Sequence, residues 1–245
     1  MIYISQITNT VSKDLRKSYP YNVPSINNLE QLELRQPVTF IIGENGTGKS
    51  TLVESIAINA GFNPEGGSRD FNFNTQNSHS DLFKDIRLTR TSHRNRDGYF
   101  LRAESFYNVA SEVDRLYEDE PSDNLIKNYG GSLHERSHGE SFLSLLQNRF
   151  GGNGLYILDE PESALSVTSQ FAALKRIKDL VNRRSQFIIS THSPILMSYP
   201  GAEIYCITPN GLQLTDYENT EQFKITKYFM NNYKGILSEL ELYDE

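Results

Sequence analysis

The stretch Gly43-Glu44-Asn45-Gly46-Thr47-Gly48-Lys49-Ser50-Thr51 follows the apolar run Val38-Thr39-Phe40-Ile41-Ile42 and restricts the fold more than any other part of the chain. Gly43, Gly48, Lys49 and Ser50 stand in the register of a phosphate-binding P-loop, a glycine followed by four residues and then Gly-Lys-Ser. Wrapping a triphosphate with backbone N–H groups needs a tight turn with little Cβ bulk, and Gly43, Gly46 and Gly48 permit one. The spacing predicts a strand, the loop, and a helix over residues 50–60 whose N-terminus aims its unpaired N–H groups and dipole at the phosphates. Lys49 is expected to reach the β- and γ-phosphates and the Ser50 hydroxyl to ligate Mg2+, with Asn45, Thr47 and Thr51 completing the nucleotide-binding loop.

Two later runs repeat the design of an apolar strand ending in polar groups. Leu155-Tyr156-Ile157-Leu158 leads into Asp159-Glu160-Pro161-Glu162, which fits a buried parallel strand whose tip reaches the nucleotide. Asp159 is placed for Mg2+, and Glu160, one residue on, to orient and deprotonate an attacking water. Phe187-Ile188-Ile189-Ser190-Thr191-His192 is the second run, and a histidine at that strand end can reach the γ-phosphate. Between P-loop and acids lies Ser137-His138-Gly139-Glu140-Ser141, opening the apolar-periodic Phe142, Leu145, Leu146 and Phe150. Serine and glycine at the mouth of a helix make an anion site, although in isolation Ser-x-Gly there is an ordinary N-cap.

The rest of the chain is read more coarsely. Alternation predicts a strand over residues 2–8, a strand or short helix over 81–90 and a strand over 98–103. Helical spacing runs through Phe106, Val109, Val113 and Leu116, and again through Val167, Phe171, Leu174, Ile177 and Val181 over 166–183. A hairpin is expected around Asn210-Gly211, followed by two helical segments from Glu221 to Leu242. The segment 61–80 reads as loops around a short strand at 71–73. Tyr19-Pro20-Tyr21 interrupts an irregular stretch; either tyrosine is a candidate for stacking on adenine, against the ordinary role of a packed aromatic.

The 245 residues, 37% of them hydrophobic, are enough for one large core. No run approaches the roughly 18 apolar residues of a membrane span, the first residues lack the pattern of a signal peptide, and the single Cys206 leaves no disulfide framework. A cytoplasmic location is expected. The net charge of −7 argues against a surface that binds nucleic acid throughout, but Arg87, Arg90, Arg94 and Arg96, with His93 among them, form a local basic patch.

With P-loop, Ser137-x-Gly139-x-Ser141, Asp159-Glu160 and His192 in that order, the chain resembles the ATP-binding-cassette (ABC) ATPases, and more closely their soluble branch, the RecF- and SMC-like heads and bacterial stand-alone AAA-family ATPases. Ser163-Ala164-Leu165-Ser166 resembles the family's D-loop. The resemblance implies an α/β P-loop NTPase fold of ABC type, a mixed sheet flanked by helices with a smaller antiparallel β portion, in one domain over 1–245 with a helical signature region at about 104–150. It implies ATP and Mg2+ as ligands and an ATP-dependent homodimer in which Ser137, Gly139, Glu140 and Ser141 contact the γ-phosphate held by the opposite protomer. Catalytic roles fall to Lys49, Glu160 and His192, metal ligation to Ser50 and Asp159. Two departures stand out. The family's Q-loop glutamine has no counterpart in Arg102-Ala103-Glu104-Ser105, so Glu104 or Gln76 is the substitute, and the interval from Thr51 to Arg136 is too short for a coiled-coil arm.

The expected function is therefore an ATPase whose dimer closes and opens on a partner protein or DNA, in a repair or defence setting. Two alternatives stay open: the nucleotide-binding subunit of a membrane transporter, and a nucleotide-switched binding module that hydrolyses very slowly.

Overall fold

The computed structural model describes residues 1–68, 80–102, 106, 110–111, 113, 115, 129 and 138–242. Nine strands fall into two sheets among these residues. The larger has the order β5-β6-β7-β3-β8-β9, made of β3 (Val38–Ile42), β5 (Asp97–Arg102), β6 (Gly154–Asp159), β7 (Gln186–Ser190), β8 (Glu203–Thr208) and β9 (Gly211–Thr215). Its first five strands in that order run parallel, and β9 returns antiparallel to β8 as the expected hairpin. The smaller sheet is antiparallel with the order β2-β1-β4, from β1 (Ile4–Asn9), β2 (Gln31–Glu33) and β4 (Ile86–Arg90).

Every residue of β3, β6 and β7 is buried, as expected of parallel strands covered on both faces. Alternation along them sorts the side chains into two cores. Phe40, Ile42, Tyr156, Leu158, Phe187 and Ile189 face one layer. Ile41, Leu155, Ile157 and Ile188 face the other, against Leu52, Val53 and Ile56 of α1 (Lys49–Ala60) and Ile4 and Ile7 of β1. The first layer holds α2 (His138–Ser144), continued by a π turn over Leu145–Arg149, and α3 (Val167–Asn182). Phe106, Ala110 and Val113 are helical and buried in that same layer.

The apolar stripe of α3 departs from the one read in the sequence at its N-terminal end, while Ile177 is buried and Leu174 and Val181 pack half-buried against the core as expected. Ala173, Ile177 and Leu180 are buried, whereas Val167 and Phe171 are 59% and 57% exposed. Buried Gln170 takes the inward position near the N-terminus, where its Nε2 donates to Leu165 O at 3.3 Å and its Oε1 accepts from Ser193 Oγ, a polar use that hydrophobic spacing does not reveal.

Side chains of the larger sheet bond to the backbone of the smaller one: Tyr205 of β8 donates its hydroxyl to Glu33 O of β2 at 2.7 Å, and Gln186 of β7 reaches β1. Gln186 is fully buried at the start of β7; its Oε1 accepts from the N–H groups of Tyr3 and Ile4 at 2.7 and 2.9 Å, and its Nε2 donates to Ile4 O at 2.8 Å. The last helix, α4 (Glu221–Glu239), bends at Asn232, whose φ and ψ of −131° and 17° are not helical, so it consists of two helical segments, as expected. None of the described helices is long and apolar enough to cross a membrane. The region 71–73, most of the predicted helix at 103–116 and, apart from Tyr129, the connection at 119–131 lie outside the described residues.

Candidate functional site

Register alone brings much of the site together. Arg102 at the end of β5 pairs with Asp159 of β6, Asp159 with Ser190 of β7, and Ser190 with Ile41 of β3. This row is the carboxyl edge of the parallel sheet, where α/β proteins bind ligands, and the N-terminus of α1 sits beside it.

The P-loop turns through left-handed backbone at Gly46 and Gly48, with φ of 77° and 94°. A Cβ at Gly48 would stand 3.0 Å from Ile26 Cγ1, so the position requires glycine both for its backbone and for its space. Glu44, Asn45 and Gly46 are exposed at the crest, Thr47 and Thr51 are half-buried, and Thr47 Oγ1 donates to Glu44 O at 2.7 Å. Lys49 is buried, with Nζ donating at 2.9 Å to the carbonyls of both Gly43 and Glu44. Burial pushes its ammonium below the ordinary value, opposed by the charges of Glu160, Asp159 and Glu162. A cation this desolvated, held among the described residues by carbonyls, is ready to exchange them for phosphate oxygens.

Asp159 is buried at the end of β6. Ser50 Oγ donates to its Oδ1 at 3.3 Å, Ser190 Oγ donates to the same oxygen, and Arg102 Nε stands 3.9 Å from Oδ2. Burial raises the carboxyl to about 6, opposed by the Ser190 hydrogen bond and the Arg102 charge. A hydroxyl and a desolvated carboxylate that meet at one point fit Mg2+, a hard cation that takes oxygen ligands and needs only one or two from protein beside a triphosphate.

Glu160 has left-handed φ and ψ of 50° and 52°, a conformation worth ~1 kcal/mol of strain in a residue with a Cβ. Its N–H donates to Ser190 O and approaches Ser190 Oγ, both at 3.1 Å, which holds the turn. The carboxylate is about one-third exposed, and its Oε1 lies 3.4 Å from His192 Nε2. Glu162, on the 3-10 turn Pro161–Ala164, fixes the histidine's backbone: its carboxylate accepts from Thr191 Oγ1 at 2.8 Å and from the His192 N–H.

The structure thus brings Lys49, Ser50, Asp159, Glu160 and His192 to one sheet edge. The serine-glycine segment is placed elsewhere, on α2. Gly139 packs so closely on the 3-10 turn Pro161–Ala164 that a Cβ there would stand 2.8 Å from Ala164 O. Glu140 is exposed, but Ser141 is only 1% exposed and turned into the core with Phe142 and Leu145. Ser141, expected to contact the γ-phosphate held by a second protomer, lies on the inward face of α2. Ser137 and the two Q-loop substitutes, Glu104 and Gln76, lie outside the described residues. Tyr21 is a packed aromatic whose hydroxyl donates to Asp85 Oδ2 at 2.9 Å, while Tyr19 is exposed.

Sequence reasoning missed Ser190, Glu162, Arg102 and Glu54. Arg102 Nη1 donates to Glu54 Oε2 at 2.6 Å, and Glu54 Oε1 accepts from Ser80 N–H at 3.3 Å, so the P-loop helix and the end of β5 are tied beside Asp159. Ser190 and Arg102 were signalled only as strand-final residues in runs already recognised.

A family model described as an AAA domain matches residues 21–241. The chain is 27% identical over 201 residues to the hemin import ATP-binding protein HmuV of Idiomarina loihiensis, covering 76% of each. Its fold is similar to that of cbiO1 from Clostridium perfringens, part of the ABC transporter complex cbiONQ, with a TM-score of 0.52, 16% identity, and 98% of this chain and all of that one covered. A metal-chelate type ABC transporter in an inward-facing conformation is similar at a TM-score of 0.50 and 14% identity, covering 94% of this chain and 90% of that one.

Proposed function

The chain belongs to the AAA-domain family and has the fold of the ABC-type P-loop ATPases, and from that premise we propose that it binds ATP with Mg2+ and hydrolyses it in a dimer closed by the nucleotide. The observation that carries this reading is the convergence at the sheet edge: Lys49 held by the loop carbonyls of Gly43 and Glu44, Ser50 against Asp159 at 3.3 Å, and Glu160 against His192 at 3.4 Å.

The loop Gly43–Thr51 wraps the phosphates, and Lys49 leaves the carbonyls of Gly43 and Glu44 for the β- and γ-phosphate oxygens. Ser50 and Asp159 hold Mg2+, which neutralises charge on the phosphates when bound. Glu160, exposed enough to meet water, accepts a proton from the attacking water, and His192 donates from Nε2 to the γ-phosphate side of the site. The strained turn at Glu160 and the Glu162 clamp on Thr191 and His192 keep base and histidine aligned. Ser137, Gly139 and Glu140 cap the nucleotide of the opposite protomer, so each site is completed by a second copy. Exposed Val167 and Phe171, which follow the D-loop, support a covered face there.

Closure on ATP and opening after hydrolysis form a conformational switch, exerted in the cytoplasm on a partner protein or nucleic acid by one domain spanning the chain. The exposed Arg87, Arg90, Arg94, Arg96 and His93, on β4 and the loop after it, support the nucleic-acid arm. A DNA titration across salt concentrations tests it, since an affinity that ignores salt leaves no role for the patch. Similarity to the hemin import protein favours a second reading, the ATP-binding subunit of a transporter, which co-purification with a membrane subunit would establish.

Glu160→Gln is the direct test. Calorimetry should show ATP affinity retained, phosphate release should fall by about 100-fold or more, and light scattering should find a dimer with ATP and Mg2+. A monomer at saturating ATP sinks the sandwich, and undiminished phosphate release sinks the base assignment.

A further inference from the structure

α4 has no buried residue along its whole length, although its start is anchored: the Thr220 hydroxyl accepts from Phe223 N–H at 3.3 Å, and the rings of Tyr217 and Phe223 lie 4.7 Å apart. The helix is strongly two-sided. Ile225, Phe229, Tyr233 and Ile236, with Leu240 just beyond its end, recur at three- and four-residue spacing on one side. Ile225, Phe229, Tyr233 and Leu240 are 59%, 41%, 43% and 61% exposed, and Tyr228 and Met230 widen the stripe at 62% and 69%. Helices of this length draw most of their stability from packing an apolar face, and a contiguous stripe of this kind marks an interaction surface.

Charge along the helix identifies the occupant. Glu221, Lys224 and Lys227 lie before the bend at Asn232, with a net positive charge, and Lys234, Glu239 and Glu241 lie after it, with a net negative one. When two copies run antiparallel with their bends facing, positions equally distant from Asn232 meet. Tyr228 then faces Ile236 of the other copy, and Lys224 comes beside Glu239 and Glu241, twice over by the two-fold axis. A parallel pair would set Lys224 against Lys224 and Glu239 against Glu239. The bend also opens a depression of about 360 Å³, lined in part by Tyr228, Tyr233 and Ile236, with room for a side chain of the facing helix.

We propose that α4 is a self-docking helix: two copies of this chain pair through it, antiparallel and without nucleotide. The pairing is independent of the ATP-bridged contact. It keeps two half-sites together between rounds of closure, so that ATP closes a tethered pair and does not have to recruit a second chain from solution.

Nucleotide-free protein, followed by analytical ultracentrifugation over a dilution series, tests it. The wild type should sediment as a dimer that dissociates on dilution, and Phe229→Glu combined with Tyr233→Glu should give a monomer with unchanged circular dichroism. Lys224→Glu alone should weaken the dimer about 10-fold by setting like charges together, and Lys224→Glu with Glu239→Lys in the same chain should restore it. A wild type that stays monomeric at every concentration overturns the proposal, whether α4 is then found on a membrane or on a different protein. A dimer indifferent to the Phe229 and Tyr233 substitutions overturns it as well, and failure of the double charge exchange overturns the antiparallel register. Because nucleotide is absent throughout, none of these failures bears on the ATP site.

Discussion

Asp97, at the far end of β5 from the nucleotide site, carries a stability argument that can be separated from catalysis. Burial pushes its carboxyl up, but the Gly151 N–H, the Tyr156 hydroxyl and Arg149 outweigh it and hold the carboxyl below the ordinary value. A folded-state value below the unfolded one, about 3.9, gives stability that is fully present above the unfolded value and lost as pH falls through the folded one. Asp97→Asn should therefore cost about 2 kcal/mol near neutral pH, with the gap to wild type closing below about pH 4, measured by urea unfolding at both pH values. At this scale the sequence was informative wherever spacing is fixed by chemistry. Lys49 and Ser50 follow their glycines and Glu160 follows Asp159, so composition and order suffice. Ser190 and Arg102 enter the site through pairing between strands far apart in the chain, which no local pattern records.

Elements were legible where the apolar pattern was unambiguous. The all-apolar β3, β6 and β7 can only be covered on both faces, and the Asn210-Gly211 turn announces its hairpin. The stripe of α3 was read correctly through Leu174, Ile177 and Val181 but misplaced at its N-terminal end, where the inward face uses Ala173 and a hydrogen-bonded Gln170 in place of bulkier residues. Gln186 was likewise unreadable, a glutamine in a strand that acts as backbone for a different sheet. Replacing it by Leu leaves two buried N–H groups and a carbonyl of the first strand unpaired, each costing about 1–3 kcal/mol. Gln186→Leu should lower stability by about 3 kcal/mol or more and raise hydrogen exchange first at Tyr3 and Ile4. Exchange confined to the other sheet would show that the joint lies elsewhere.

For the molecule as a whole, ligand binding and stability are coupled, because the nucleotide loop, the end of β6 and the turn after β7 all belong to the main sheet. ATP with Mg2+ at 100 times its dissociation constant should raise stability by about 2.7 kcal/mol, seen as a higher midpoint in a thermal scan. Lys49→Ala should abolish that rise while keeping the ligand-free midpoint within a few degrees; an undiminished rise would refute the loop's role. The ABC-type architecture was legible from four short motifs in order, whereas the free face of α4 was not, since only a folded context tells an amphipathic helix that is covered from one that is left open. The joint at Gln186 also sets a timetable. Residues 3 and 4 wait for a partner 182 or more positions later, so on the ribosome the first strand can pair with β2 and β4 early, whereas its bond to the main sheet through Gln186 forms only after residue 186 has emerged.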